Sequence, residues 1–115
     1  MNDLRSRIPI CPHGTVDSID PLLVLALEKL EYEMKIKLQY NSGYRCVECN
    51  AAAGGVKNSA HLRGKAVDVV IHGSGERFWL VSNAVRLGWF RIGIGRNFVH
   101  LDIDSDLPDH VMWVY

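Results

Sequence analysis

Residues 98–104, FVHLDID, alternate strictly between two kinds of side chain. Successive side chains of a strand point to opposite faces. Val99, Leu101 and Ile103 therefore share one face, and Phe98, His100, Asp102 and Asp104 share the other. The first set is a core face. The second is a row of ligand-type groups. The segment KAVDVV at 65–70 poses the same problem, because its alternation groups Asp68 with Ala66 and Val70. An aspartate there either points to water or meets something cationic.

The rest of the chain supplies elements to pack against these strands. Asp20-Pro21 is a helix start, with Asp20 as cap and Pro21 at the first helical position. Leu23, Leu27, Leu30 and Met34 follow at helical spacing, predicting a helix of roughly 14 residues. In IKLQY, Ile36, Leu38 and Tyr40 alternate with polar residues, predicting a half-buried strand that turns at Ser42-Gly43. Residues 46–58 read as a short helical turn closed by Gly54-Gly55. Ser74 is expected to cap a second helix, with Phe78, Val81 and Val85 along one side and a stop at Gly88. WFRIGIG and FVHLDID form a hairpin through Arg96-Asn97, and VMWVY is a last strand. The expected fold class is α+β, a mainly antiparallel sheet with flanking helices. All 115 residues are expected to form a single domain, with residues 1–19 as an irregular arm.

Charge narrows the function. Lysine plus arginine and aspartate plus glutamate number 13 each, so the formal net charge is zero. That argues against nucleic acid as a partner, since such binders need a basic surface. It also offers no attraction to an anionic membrane. No apolar run is long enough for a signal peptide or a bilayer span. The expectation is synthesis in the cytoplasm without a signal peptide and no membrane insertion.

His61 leads into the strand holding Asp68, and His100 lies on a later strand. Each alone has an ordinary surface or core reading. Together, two imidazoles and a carboxylate supply three of zinc's four tetrahedral positions and leave one open, the composition of a catalytic site.

SAHLRGKAVD, residues 59–68, fits the pattern S-x-H-x-x-G-x-A-x-D and resembles the M15 family of zinc peptidases. This is the D-alanyl-D-alanine carboxypeptidase and peptidoglycan endopeptidase group. SGYRC, NAAAGG and NS upstream and FVHLD downstream keep the family's order of motifs over roughly residues 20–104. The chain looks most similar to the short phage and prophage branch. The zinc-bearing signalling domain of hedgehog proteins shares this core, so the fold alone does not imply catalysis.

The resemblance implies one Zn2+ held by His61, Asp68 and His100. Gly64 would permit the turn, and Ala66 would leave room beside the metal. It implies that Arg45 binds a substrate carboxylate or polarises the scissile carbonyl, against a surface salt bridge as the alternative. Ser59 is expected to bond to backbone or to a substrate, or to be an ordinary turn serine. Many members carry a carboxylate three positions before the last histidine, or a histidine two before it; here Asn97 and Phe98 stand there. Asp102 is then either the catalytic proton carrier or an acceptor that orients His100, and Asp104 is the weaker candidate.

Cys11, His13, Cys46 and Cys49 allow a rival idea, a Cys3His structural zinc. Tight C-x-H spacing and the long intervening helix argue against it, and paired or plainly buried thiols are equal alternatives. No second zinc is expected. Trp79, Trp89 and Trp113 are read as core or groove wall.

The reading is thus a zinc peptidase, acting as a monomer on peptidoglycan stem peptides or cross-links. As a phage endolysin it would reach the periplasm or cell wall through a lesion made by a separate holin. The alternative is a non-catalytic, zinc-stabilised binding or phage-structural domain.

Overall fold

The computed structural model describes residues 4–115. Helix α1, Pro21–Met34, begins as its sequence indicates: the Asp20 carboxylate accepts the Leu22 amide at 2.8 Å, satisfying one donor that the first turn leaves open. It buries Leu23, Leu27, Leu30 and Met34 and ends at Lys35 in the left-handed region.

The next segment departs from expectation. Leu38 and Tyr40 are buried, as alternation requires, but strand β1 covers only Tyr40–Ser42. Side chains replace the missing ladder. The Glu31 carboxylate accepts the Leu38 amide at 3.1 Å and the Tyr40 hydroxyl at 2.6 Å. The Arg7 guanidinium donates to the Leu38 carbonyl at 2.8 Å. Backbone groups satisfied in this way need no partner strand.

Short helix α2, Val47–Ala52, precedes β2, Ala66–Val70. Helix α3, Ser74–Arg86, leads to β3, Arg91–Ile94, then β4, Phe98–Asp102, and β5, Val111–Val114. Among the described residues these strands form one sheet in the order β1-β2-β4-β3-β5. All neighbours are antiparallel except β3 and β5, so the α+β class holds.

The β2–β4 register places Val67 opposite Leu101 and Val69 opposite Val99. All four are fully buried and pack with the inner face of α1. On the other face, Asp68 stands opposite His100 and Ala66 opposite Asp102. One register therefore fixes both the core and the row of polar groups.

Two further expectations change. Helix α3 is capped by Gly73 rather than Ser74, and it buries Leu80 and Ala84 while Phe78 and Val85 stay exposed. The helix carries two apolar stripes, and the stripe with small Ala84 is packed inside. The segment expected as an irregular arm holds 3-10 turns at Leu4–Arg7 and Val16–Ser18. It contributes Leu4, Ile8 and Ile19 to the core; the first part of the expected arm, residues 1–3, lies outside the described residues.

Candidate metal centre and cleft

His61 sits in a 3-10 turn, Ala60–Arg63, built from its flanks. The Ser59 hydroxyl accepts the His61 amide at 3.1 Å. Gly64 closes the turn at φ 67°, and a Cβ there would lie 1.8 Å from the Ser18 carbonyl oxygen. Only glycine fits that backbone at that distance. Ser59 thus shapes the turn through backbone while also lining the cleft.

The turn returns the His61 ring, 2% exposed, to the polar face of β2. Nδ1 lies 2.6 Å from the Gly43 carbonyl oxygen. A carbonyl only accepts, so Nδ1 carries the hydrogen and Nε2 the lone pair. That Nε2 is buried, has no hydrogen-bond partner among the described residues, and lies 3.3 Å from Asp68 Oδ1.

The same Asp68 oxygen is 3.2 Å from His100 Nδ1. The opposite nitrogen of His100 donates to Asp102 Oδ2 at 2.7 Å. One atom from each of His61, Asp68 and His100 lies within 4.8 Å of the others. Nitrogen and oxygen ligands about 2.0–2.1 Å from a tetrahedral zinc would stand about 3.3 Å apart. The two measured separations match that edge. A buried lone pair left without a donor is costly, and a cation among these three atoms would remove the cost. The three residues fit the metal.

Their electrostatics agree. Burial acts to raise the Asp68 carboxyl, but the adjacent imidazoles, His100 first and then His61, outweigh it and hold it well below the usual carboxylate range. Burial acts to lower His100, but hydrogen bonds with Asp102 and then Asp68 raise it above its ordinary value.

Asp102 is fully buried, with both oxygens engaged. Oδ1 accepts Arg91 Nε at 2.8 Å and the Asp104 amide at 3.1 Å, while Oδ2 accepts His100. Of its two expected roles, this geometry favours orienting His100. Asp104 is also buried and is bound to Arg63 at 2.5 Å.

The three ligand-type residues open onto a cleft of about 650 Å³, within the range of small-ligand sites. Arg45 lines it. The Arg45 amide donates to the His61 carbonyl at 3.1 Å, and the side-chain Nε is buried without a hydrogen-bond partner among the described residues.

Arg91 and Tyr115 are among the cleft residues that the sequence reading missed. Ile92 and Ile94 alternate with Arg91 and Gly93, a pattern that could have placed Arg91 on the polar face. Trp113, expected as core or groove wall, lies 5.3 Å from the His100 ring, centroid to centroid, and under the Arg91 guanidinium at 5.0 Å. A Cβ at Gly93 would come within 2.7 Å of the Trp113 ring and 2.8 Å of Tyr115. The bare backbone of β3 is what lets both rings lie there.

A comparison with curated proteins finds no match. The model of the family described as Peptidase M15 matches residues 3–102, ending at Asp102 and so covering all three ligand-type residues. With most of its length matched, the chain belongs to the M15 family of zinc-dependent peptidases.

Proposed function

We propose that this metallopeptidase hydrolyses a peptide bond in peptidoglycan stem peptides or their cross-links. The observation that supports it is the unpartnered, buried Nε2 of His61, converging with Asp68 and His100 at the floor of a cleft that Arg45 lines.

His61, Asp68 and His100 would hold one zinc ion. Bound there, zinc supplies a Lewis acid and brings the pKa of water toward ~7. The chain's own groups do the rest. Gly43 fixes the tautomer of His61, and Asp102 fixes that of His100, each through the nitrogen turned away from the metal position. Arg91 holds Asp102 in place. Arg45 offers a permanently charged planar donor to a substrate carboxylate or to the scissile carbonyl. Trp113 and Tyr115 form an apolar wall beside the ligands, restricting water around the bound peptide.

Similarity to the short phage branch extends the proposal to an endolysin. It would act as a monomer in the periplasm or cell wall after release by a separate holin. No helix among the described residues is long and apolar enough to cross a membrane.

A second reading, a non-catalytic zinc-stabilised binding domain, draws on Asp102 being buried and already accepting from Arg91, His100 and the Asp104 amide, an anchor's arrangement. One experiment separates the two. Zinc-loaded protein is incubated with purified peptidoglycan, and released fragments are identified by mass. Hydrolysis by the parent and none by His61→Ala supports the peptidase and names the bond. Uncut sacculi that retain the protein support the binding domain.

A further inference from the structure

Cys11, His13, Cys46 and Cys49, none of which lines the cleft, are brought together by the fold. The sequence argued against a metal here because the C-x-H spacing is tight and the intervening helix long. The fold answers both, since it brings all four ligand atoms together. The Cys11 amide donates to the Tyr44 carbonyl at 3.0 Å, so the segment before α1 runs beside the residues that lead into α2.

The side chains then converge. His13 Nδ1 lies 3.3 Å from Cys46 Sγ and 3.5 Å from Cys49 Sγ. Sulfur at about 2.3 Å and nitrogen at about 2.0–2.1 Å from a tetrahedral zinc would stand about 3.6 Å apart. One ligand atom from each of the four residues lies within 4.8 Å of all the others. All three cysteines are free thiols.

Backbone donors point at the sulfurs. The Cys46 amide is 3.4 Å from Cys11 Sγ, and the Cys49 amide is 3.4 Å from Cys46 Sγ. Amide donors at sulfur are the outer contacts that support metal-bound thiolates. Three thiolates and an imidazole fill all four tetrahedral positions, the arrangement of a structural rather than a catalytic zinc.

We propose that Cys11, His13, Cys46 and Cys49 bind a second, structural zinc ion that clamps the N-terminal segment to the start of α2. Arg45 immediately precedes Cys46, so the clamp also anchors the backbone that presents Arg45 to the cleft. Such a clamp is independent of the substrate, and metal content rather than hydrolysis reports it.

The full chain is purified under reducing conditions, and bound zinc and reactive thiols are counted. The parent should hold two equivalents, with thiols that react only after zinc is extracted. The double variant His61→Ala/His100→Ala should keep one equivalent. Loaded with cobalt(II) instead, it should show intense sulfur-to-metal charge-transfer absorption. Cys46→Ser/Cys49→Ser should lose that equivalent and the absorption; should it fail to fold, the histidine variant decides alone. A parent with one equivalent that vanishes in His61→Ala/His100→Ala would overturn the proposal. So would three thiols that react at once in the zinc-loaded parent, or a disulfide between any two of them.

Discussion

His61 and His100 face a common point with different ring nitrogens, Nε2 of the first and Nδ1 of the second, their rings 5.0 Å apart and inclined at 75°. Each ring is held by its other nitrogen, His61 by the Gly43 carbonyl and His100 by Asp102. The two anchors differ in kind: one is neutral backbone and the other a buried carboxylate. Substituting the ligands and substituting the carboxylate anchor should therefore have separable effects.

Asp102→Asn keeps the shape of the anchor and removes its charge. Zinc affinity at this site is expected to fall about 10- to 100-fold, measured by competition with a chromophoric chelator in Cys46→Ser/Cys49→Ser protein. Unchanged affinity together with lost hydrolysis would instead make Asp102 the proton carrier.

Arg45→Ala should lower kcat/KM on stem peptides by about 10²- to 10³-fold while leaving zinc at the His61 site intact. Arg45→Lys should recover only part of this, because an ammonium cannot reproduce the paired donors of the guanidinium. Parent-like kinetics in Arg45→Ala would place substrate recognition elsewhere in the cleft.

Gly64→Ala introduces a Cβ against the Ser18 carbonyl at a positive φ. The strain alone should cost on the order of 1 kcal/mol or more. The turn that aims His61 should shift with it, so chemical denaturation and zinc titration should both report a loss. A variant that retains full stability and full affinity would show that the turn relaxes freely.

Acidification should release zinc from the His61 site at a higher pH than an ordinary imidazole would. Burial works to lower His100, but Asp102 and Asp68 hold it above 6.5, so the proton competes with the metal for Nδ1 until the pH exceeds that raised value. Affinity is thus fullest above it and falls as pH drops through it. Asp102→Asn removes one of the raising carboxylates and should move the fall to lower pH. Zinc affinity measured between about pH 5 and about pH 9 tests the sign; a fall that begins below the range of a free imidazole contradicts it.

Local patterns carried the parts of the molecule that depend on local geometry. The Asp20-Pro21 cap and the alternation through His100 were legible because each needs only one segment's backbone. Strand β1 started later than its alternation suggested because Glu31 and Arg7, from α1 and the N-terminal segment, satisfied the Leu38 backbone. The inner face of α3 was ambiguous because two apolar stripes run along it. Arg91 was legible from the alternation in β3, but Tyr115 reached the cleft through β3–β5 pairing, which no short window of sequence reveals. The cysteine cluster was visible as a set of ligand types but was argued against, because spacing does not show that the segments before and after α1 run side by side.

The pairing of β2 with β4 has a consequence for folding. Shifting either strand by one residue would turn Asp68 away from His100 and also expose Val67, Val69, Val99 or Leu101 to water. A misaligned β2–β4 pair would present no joint ligand set, so zinc at the His61 site would bind only chains whose strands are correctly aligned. The ion would thereby proofread the sheet, drawing the population toward the one alignment that can hold it.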